Sequence, residues 1–374
     1  MKIGIVCYPT YGGSGIVATQ LGMAMAEKGN ETHFISYSLP AKLDITLPNI
    51  YFHQVSVKPY PLFEYQPFSL ALSTIIVNIT ETYGLDLLHV HYAIPHAYAA
   101  YFAKQILLEK GIKLPVITTL HGTDITLVGG HPIYKSAVEF SINHSDYITT
   151  VSQSLKRETY EVFDIKKEIE IIPNFIDNDH ITKIKPCSRQ NFANDDEKIL
   201  IHVSNLRKIK RIEDVMSIFN LVQQKIKAKL IIVGEGPETE TIEHLTAEYH
   251  LEEKVKTFGH VDDVQAVLSV ADLFLLPSEQ ESFGLAALEA MACSVPVISS
   301  NAGGITEVNR NGFSGFVSLV GDVASMSENA LALLTDDELL AQFKRQAKEE
   351  ARVFDKKKIL PLYKMLYDRA LLRK

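Results

Sequence analysis

The sequence predicts an α/β protein built from two Rossmann-like, doubly wound domains, and three observations lead to this prediction. Short apolar segments rich in β-branched residues alternate with helical stretches, which is typical of a parallel sheet covered by helices on both faces. The same alternation starts again after a polar, irregular stretch at 176–197. The length of 374 residues is too great for one ordinary domain and suits two of about 180 residues each.

The first half begins with the buried strand KIGIVCY (2–8), a glycine loop and a helix that ends near Lys28-Gly29. Further strands are predicted at 32–37, 85–92, 115–122, 147–152 and 169–174. Stretches such as HAYAAYFAKQILLEKG and PIYKSAVEFSINHS form the helices between them. Residues 1–175 are therefore expected to make up the first domain.

The second half repeats this organisation with the strands KILIHVSN, AKLIIVGEG, KVKTFGH, DLFLLPS and PVISS. Helices such as RIEDVMSIFNLVQQKI and FGLAALEAMAC separate them. We expect residues 176–352 to form the second domain and 353–374 to form a C-terminal helix that crosses back to the first. Ligands of open α/β sheets bind beyond the carboxyl ends of the strands, so two such sheets facing each other would enclose a cleft.

Composition excludes several classes of protein. The net charge of −8 argues against a nucleic-acid or anionic-membrane partner. No stretch approaches the ~20 apolar residues that span a bilayer, and the N-terminal apolar run is too short for a signal peptide. The three cysteines, without a C-x-x-C pair, fit a reducing compartment. We therefore expect a cytoplasmic, soluble protein, and the sequence leaves a homo-oligomer open.

The loop Tyr11-Gly12-Gly13-Ser14-Gly15 joins the first strand to its helix. Glycines let the backbone approach a ligand, and a helix N-terminus favours an anion. The loop lacks the G-x-G-x-x-G spacing of dinucleotide binders and the lysine of a P-loop. A tight strand–helix turn without any ligand is the alternative interpretation.

The segment EQESFGLAALEAMACSVPVIS (279–299) places Glu281 before a predicted helix and Glu289 inside it. The helix is expected over Phe283 to Cys293, with free N–H groups near Ser282, Phe283 and Gly284 that would stabilise a diphosphate. Carboxylates accept hydrogen bonds from diols, and a nucleotide sugar carries diols on both its sugar and its ribose. Alternatively, Glu281 is a solvated loop acid and Glu289 forms a salt bridge on the helix.

A cluster of basic residues follows a strand end in HVSNLRKIKRIEDV (202–215): Arg207, Lys208, Lys210 and Arg211. In an acidic protein such a local cationic cluster can bind phosphate and stabilise the charge of a departing diphosphate. A solvated basic turn would have the same sequence.

Together these features resemble the retaining glycosyltransferases of the GT-B fold that carry an E-x7-E pair, the family 4 type. The resemblance covers essentially the whole chain. It is carried by GGSG, PNFID (173–177), SNLRKIKR, VGEGPE (233–238), FGHVDD (258–263), the pair Glu281 and Glu289, and NAGGITEV (301–308). The resemblance implies an enzyme that binds the acceptor in its first domain and the nucleotide sugar in its second, and that needs neither metal nor cofactor.

Family roles carry over to matching positions. The resemblance implies that Glu281 reaches the donor sugar and that Glu289 holds the ribose. The diphosphate would lie on Phe283-Gly284-Leu285 with Arg207 and Arg211, and His260-Val261 would line the base. The donor set as a whole is Gly13, Ser14, Arg207, Arg211, His260, Val261, Glu281, Phe283, Gly284, Leu285 and Glu289. Many members have a basic residue where this chain has Asn205, which leaves Arg207 and Lys210 as alternatives for that role.

In the first domain, His121 of LHGTD matches the histidine that the family places beside the reacting sugar. Catalytic roles are thus implied for Glu281, His121, Arg207 and Arg211. Ser14, Tyr92, Thr119, His121 and Thr123 are the acceptor-site candidates. His89 and His91 share one strand face, but no third ligand or carboxylate accompanies them, so we expect no metal site.

A closer resemblance is carried by CYPTYGGSGIVATQLG, HVHYAIPHAYAAY, TTLHGTDIT and VSNLRKIKR. These segments are similar to the family members that open bacillithiol biosynthesis, which transfer N-acetylglucosamine from UDP-N-acetylglucosamine to the hydroxyl of L-malate with retention. The two substrates are implied by this resemblance alone. Three alternatives stay open: a UDP-N-acetylglucosamine 2-epimerase, a related transferase with another acceptor, and a non-catalytic UDP-sugar sensor.

Overall fold

The computed structural model describes residues 1–57 and 65–372, which divide into two compact units. Unit 1 contains Met1–Asn174 together with the chain from Ile359 onward, and unit 2 contains Phe175–Lys358. The second boundary lies within the last helix, Lys356–Leu372, whereas the sequence placed it before that helix.

Unit 1 is built on a parallel sheet of strand order β3-β2-β1-β4-β5-β6-β7. Its strands are β1 Lys2–Val6, β2 Glu31–Ser36, β3 Ile50–Gln54, β4 Leu87–His91, β5 Val116–Leu120, β6 Tyr147–Thr150 and β7 Ile169–Ile171. Its helices are α1 Gly13–Glu27, α2 Phe68–Tyr83, α3 Tyr98–Glu109, α4 Pro132–His144, α5 Gln153–Val162 and the C-terminal α13 Lys356–Leu372. Short turns follow β4 and β5. The first, Ala93–Ala97, is kinked at the non-helical Ile94, and the second, Thr123–Leu127, is a single π-helical turn.

Unit 2 repeats the design with the parallel order β10-β9-β8-β11-β12-β13. Its strands are β8 Lys198–Val203, β9 Ala228–Val233, β10 Val255–Phe258, β11 Leu273–Leu276, β12 Val297–Ser300 and β13 Gly315–Ser318. Its helices are α6 Asn178–Ile181, α7 Ile212–Gln223, α8 Thr239–Glu248, α9 Val264–Leu268, α10 Leu285–Ala292, α11 Val323–Leu334 and α12 Asp337–Ala351. Short 3₁₀ turns include Lys208–Lys210 and Gly303–Glu307.

The central strands of both sheets are buried on both faces, as their unbroken apolar sequences predict. In unit 1, β4 and β5 are buried at every position, and in unit 2 the same holds for β11 and β12. The doubly wound α/β prediction is therefore confirmed for each unit.

Two of the four edge strands, β3 and β13, were absent from the strands that the sequence predicted. Each is only partly buried, and Tyr51 in β3 is exposed, so the long apolar run that marks a fully buried strand is missing. These strands form because they pair with β2 and β12. Such tertiary pairing produces no clear pattern of apolar residues in the local sequence.

Strand order reverses once in each sheet, between β1 and β4 in unit 1 and between β8 and β11 in unit 2. Loops that leave adjacent strands on opposite faces of the sheet open a crevice at such a switch point, and ligands of doubly wound sheets bind there. The glycine loop follows β1, the basic loop follows β8, and the segment that carries Glu281 follows β11. The fold thus brings the motifs of each half to the switch point of its own sheet.

Candidate active site

In unit 2, the loops after β8 and β11 are joined directly by their backbones. The N–H of Glu279 donates to the carbonyl oxygen of Ile209 over 2.8 Å. The 3₁₀ turn Lys208–Lys210 therefore lies beside the segment that leads to Glu281. In the sequence the basic cluster and the Glu281 segment are two separate motifs. They form one site because β8 and β11 are neighbours where the strand order reverses.

Helix α10 begins at Leu285, two residues later than predicted, because Gly284 adopts a left-handed conformation with φ of +93°. A Cβ on Gly284 would lie only 2.4 Å from Cδ1 of Ile305, so no larger residue fits without a shift. Gly284 caps the helix with no side-chain hydrogen bond, which leaves the first-turn N–H groups of α10 open to a ligand. The free N–H groups are thus those that follow Gly284, rather than those of Ser282 and Phe283.

Glu281 is fixed at both its backbone and its side chain. Its carbonyl oxygen accepts the N–H of Gly304 over 2.8 Å, and a Cβ on Gly303 would approach that oxygen to 2.4 Å. Its carboxylate forms an ion pair of 2.6 Å with Nζ of Lys210, and both side chains are only about one-sixth exposed. The oxygen that binds Lys210 also lies 3.4 Å from the hydroxyl of Ser278.

The basic side chains of the loop after β8, residues 207–211, have different partners. Lys210 binds Glu281, whereas Arg211 binds Asp214 of α7 through two hydrogen bonds of 2.6 and 3.1 Å. These bonds to Asp214 raise the pKa of the Arg211 guanidinium. Arg207 is exposed and forms no ion pair within the described chain. Of the two alternatives for the missing basic residue, Lys210 is therefore the one that contacts Glu281, and the predicted site set omitted it.

Glu289 lies one helical turn past the start of α10, since that helix begins at Leu285. Its Oε1 accepts a hydrogen bond of 2.9 Å from Nε2 of Gln265, on α9. Burial, with a contribution from Glu289, raises the pKa of the nearby Cys293 thiol to about 12, which keeps this thiol protonated. Glu281 and Glu289 thus occupy separate surroundings, one beside a lysine and one beside an amide.

The third part of the predicted donor set lies on the loop after β10. The backbone N–H of His260 donates to Oε1 of Glu235 over 3.1 Å, and its exposed imidazole lies 3.1 Å from Asp262. Val261 is half-buried beside it. Gly234, in the loop after β9, has φ of +132° and packs so tightly on the loop after β8 that a Cβ would lie 1.8 Å from the carbonyl oxygen of Ser204.

In unit 1, the glycine loop starts helix α1 at Gly13, with Gly12 as its cap. Gly15 is required by packing, since a Cβ there would lie 2.3 Å from the carbonyl oxygen of Thr10. Gly13 is exposed, and the half-buried Ser14 shares a hydrogen bond of 2.8 Å with the hydroxyl of Tyr92. The loop after β1 therefore reaches the turn after β4.

His121 joins this group from the turn after β5. Its Nε2 forms a hydrogen bond of 2.8 Å with Nδ1 of His91, and its ring centroid lies 5.3 Å from that of Tyr92. His91 also stacks on His89, as their positions on one strand face predict. Burial lowers the pKa of His89 and of His121 to about 3, so these rings are neutral at pH 7.

Thr119 does not join Ser14, Tyr92 and His121. It is fully buried within β5, and its hydroxyl forms hydrogen bonds with His89 over 2.7 Å and with Thr149 over 2.6 Å. The sequence analysis named Thr119 as an acceptor candidate, but a strand that is buried on both faces has no alternation of polar and apolar residues to show which way a side chain points. Thr123 is half-buried at the start of the turn after β5.

Within residues 1–57 and 65–372, no group of three or more histidine, cysteine or acidic residues is arranged to hold a metal ion. No helix in that part of the chain is long and apolar enough to cross a membrane.

Two family profiles match the chain, "Glycosyltransferase Family 4" over residues 11–180 and "Glycosyl transferases group 1" over residues 184–350. The chain is also 44% identical to the N-acetyl-alpha-D-glucosaminyl L-malate synthase of Bacillus anthracis, over 98% of this chain and 96% of that protein. The chain belongs to glycosyltransferase family 4. It is a glycosyltransferase enzyme, and the family resemblance drawn from its motifs is confirmed.

The chain also has more distant relatives. The 2-deoxystreptamine N-acetyl-D-glucosaminyltransferase of Niallia circulans is 24% identical over 76% of this chain and 75% of that protein. Among solved structures, Anabaena HepE in complex with UDP and glucose superposes with a TM-score of 0.82 at 20% identity, covering 99% of this chain and 100% of HepE. The sucrose-phosphate synthase of Thermosynechococcus elongatus gives 0.81 at 19% identity, with both chains fully covered. These similarities confirm the GT-B fold.

Proposed function

We propose that this family 4 enzyme is a retaining transferase that moves N-acetylglucosamine from UDP-N-acetylglucosamine to the hydroxyl of L-malate. The products are UDP and N-acetylglucosaminyl-malate, the first intermediate of bacillithiol biosynthesis. The observation that supports this proposal is the 44% identity to the B. anthracis synthase over nearly the full length of both chains. We assign the enzyme to the cytoplasm.

The donor binds at the switch point of unit 2. Its diphosphate lies on the open N-terminus of α10, where Gly284 offers no side chain to block it and the helix dipole favours negative charge. Lys210 is the cation of this site, with the exposed Arg207 at its margin. Arg211 acts from further away, because Asp214 already balances its charge.

The remaining donor groups bind the two ends of the nucleotide sugar. Glu281 accepts hydrogen bonds from the hydroxyls of N-acetylglucosamine, and Glu289 accepts them from the ribose. His260 and Val261 line the base. In the unliganded protein, Lys210 neutralises Glu281 at 2.6 Å and so lowers the cost of keeping that carboxylate mostly buried before the donor arrives.

The reaction is a same-face substitution at the anomeric carbon. The bond from this carbon to the β-phosphate oxygen breaks while the malate hydroxyl forms a new bond on the same face. The hydroxyl proton passes to the departing β-phosphate, so no protein base is needed. As the bond breaks, negative charge grows on the diphosphate, and Lys210 with the α10 N–H groups stabilises it. These groups take the place that a metal ion has in other transferases, and we propose that none is required.

The acceptor binds to unit 1, where Ser14, Tyr92 and His121 meet. His121 is neutral at pH 7, so it offers hydrogen bonds and no positive charge to the malate carboxylates. Residues 1–156 contain no arginine, and the open N–H groups at the start of α1 therefore bind one carboxylate. Thr123 lies at the margin of this site.

One assay tests the proposal against its alternatives. The enzyme is incubated with UDP-N-acetylglucosamine, with and without L-malate, and UDP and sugar products are followed by chromatography and NMR. We expect UDP and an α-linked N-acetylglucosaminyl-malate only when malate is present. A 2-epimerase would convert the donor without malate, a sensor would bind the donor and release nothing, and a transferase with another acceptor would be inactive with malate.

A further inference from the structure

The carboxylate of Asp124 connects two turns of unit 1 that carry candidate acceptor residues. Its Oδ2 accepts the backbone N–H of Ala93 over 2.9 Å, and its Oδ1 accepts those of His121 and Gly122 over 3.1 and 3.0 Å. The side chain is 2% exposed. No lysine or arginine pairs with it in the part of the chain that the structure describes, so backbone N–H groups alone balance its charge.

Other contacts also join the ends of β4 and β5, including a hydrogen bond of 2.9 Å from the N–H of Tyr92 to the carbonyl oxygen of Thr119 and one of 2.8 Å between the rings of His91 and His121. The Asp124 carboxylate adds to these contacts at two unusual backbone positions. Tyr92, just before Ala93, has φ of +82°, which is rare for a residue with a side chain, and Gly122 has φ of +109°. Such backbones persist only where surrounding contacts determine them. The carboxylate supplies one acceptor oxygen to the turn after β4 and one to the turn after β5, and so helps to hold Tyr92 and His121 at their observed separation.

An isosteric amide could not replace this carboxylate. Asparagine offers one oxygen and one NH2 group, so whichever way it lies, its NH2 group faces the N–H of one turn. That turn loses its acceptor, and a buried N–H without a partner is unfavourable. Only an ionised side chain of this length accepts from both turns.

We propose that Asp124 is a positioning residue of the acceptor site, which fixes Tyr92 and His121 relative to one another for the reaction with malate. It does not touch the substrate; it acts through the two turns. The expected effect on malate kinetics rests on the proposed function. The expected effect on the position of His121 does not depend on malate.

Asp124→Asn is the direct test, measured by steady-state kinetics and by NMR of the histidine rings without substrate. We expect kcat/KM for malate to fall about 10- to 100-fold, since a small displacement of a positioned group has effects of that size. Binding of UDP, which contacts unit 2, stays unchanged. The His121 ring resonance, assigned with His121→Gln, shifts because its turn has moved.

Asp146→Asn is the matched control. Asp146 also accepts a backbone N–H on the same sheet, that of Val116 over 2.8 Å, and pairs with Lys104, but it lies at the amino end of β5. This variant should lose stability without a change in the malate KM or in the His121 resonance. If Asp124→Asn does not fold, Asp124→Ser replaces it, because serine is smaller and its hydroxyl can turn its hydrogen away from the N–H groups.

Two results decide the inference. An unshifted His121 resonance in the folded Asp124 variant overturns it, as does an equal loss of malate and UDP affinity. A wild-type enzyme that does not use malate contradicts the proposed function instead, and the histidine spectrum of the variant then still decides the role of Asp124.

Discussion

Glu281 and Glu289 stand eight positions apart, yet their neighbours give them different chemistry. Glu281 precedes the helix and binds Lys210, whereas Glu289 lies within α10 and accepts a hydrogen bond from Gln265. A ligand that binds Glu281 also lies beside the charged Lys210, whereas a ligand that binds Glu289 lies beside the neutral amide of Gln265. The proposed roles at the two ends of the donor follow from this difference.

The first prediction separates these roles. Glu289→Ala should weaken UDP binding by roughly 2–4 kcal/mol, on the order of 30- to 1000-fold, because ribose contacts exist before and during the reaction. Glu281→Ala should leave UDP binding nearly intact and lower kcat. Calorimetric titration with UDP and steady-state rates measure the two effects. Equal weakening of UDP binding by both variants would show that the assignment of the two ends is wrong.

The second prediction concerns Lys210. Lys210→Met should lower kcat by about 10²- to 10³-fold with a smaller change in donor KM, because charge on the diphosphate grows only as the bond breaks. A chelator should leave the wild-type rate unchanged. The control is Lys208→Met, which removes the same charge from an exposed position on the same loop. Comparable losses in both variants, or a strong requirement for added Mg²⁺, would contradict the role of Lys210.

At the scale of elements, the sequence predicted the central strands and most helices, because buried strands and amphipathic helices have strong local patterns. It did not predict where α10 begins, since the left-handed Gly284 is fixed by contact with Ile305 on a later segment. The sequence also did not predict that Lys210 pairs with Glu281 and Arg211 with Asp214. Adjacent side chains on a loop have no periodicity, and the strand order that brings Glu281 to Lys210 is a tertiary property.

The third prediction tests the start of α10. Gly284→Ala should reduce UDP affinity at least tenfold, because the added Cβ would displace Ile305 and tilt the first turn that receives the diphosphate. Gly312→Ala is the control, since Gly312 has φ of +72° but no atom within 4 Å of an added Cβ. It should cost about 1 kcal/mol of stability and leave UDP binding unchanged. Equal UDP affinity in the two variants would argue against a diphosphate at this helix.

At the scale of the whole molecule, each of the two doubly wound units carries neutral histidines on a central strand or in the turns that follow one. Burial lowers the pKa of His89 and His121 in unit 1 to about 3, and that of His96 in unit 1 and His202 in unit 2 to about 4. Protonation of these rings in the folded protein is unfavourable, because it would place a charge in an apolar surrounding. Stability should therefore fall as the pH drops below the ordinary histidine pKa. Burial raises the pKa of Asp124 to about 6, which acts in the opposite direction, but four histidines outweigh one carboxyl group.

The fourth prediction gives the direction of this dependence. Below the ordinary histidine pKa of about 6.5, the unfolded chain takes up protons that the folded protein excludes. The stabilising contribution is fully present above that pH and is lost as the pH falls toward the lowered values of the folded rings. Scanning calorimetry should show a Tm that decreases steadily from pH 6.5 to about 4. A constant Tm over this interval would mean that the rings are accessible to protons in the folded state.

The proposed reaction requires an acceptor site that pairs both carboxylates of malate, and no single segment of the chain predicts such a site. L-Malate has two carboxylates and one hydroxyl at a chiral centre, and a buried site must pair both charges. We therefore expect a strong preference for L-malate over D-malate, and a stronger one over lactate, which lacks the second carboxylate. Ser14→Ala, which removes the hydrogen bond to Tyr92, should raise the KM for malate more than that for the donor.

The rate of UDP release from UDP-N-acetylglucosamine with L-malate, compared with D-malate, lactate and inositol phosphate, tests the central claim most directly. The account predicts rapid release with L-malate, an α-linked product by NMR, and rates at least tenfold lower with each other acceptor. Lactate would leave a carboxylate-binding group unpaired, and D-malate would misplace its hydroxyl or a carboxylate. Comparable rates with all four acceptors would contradict the malate assignment and leave a family 4 transferase of unknown acceptor.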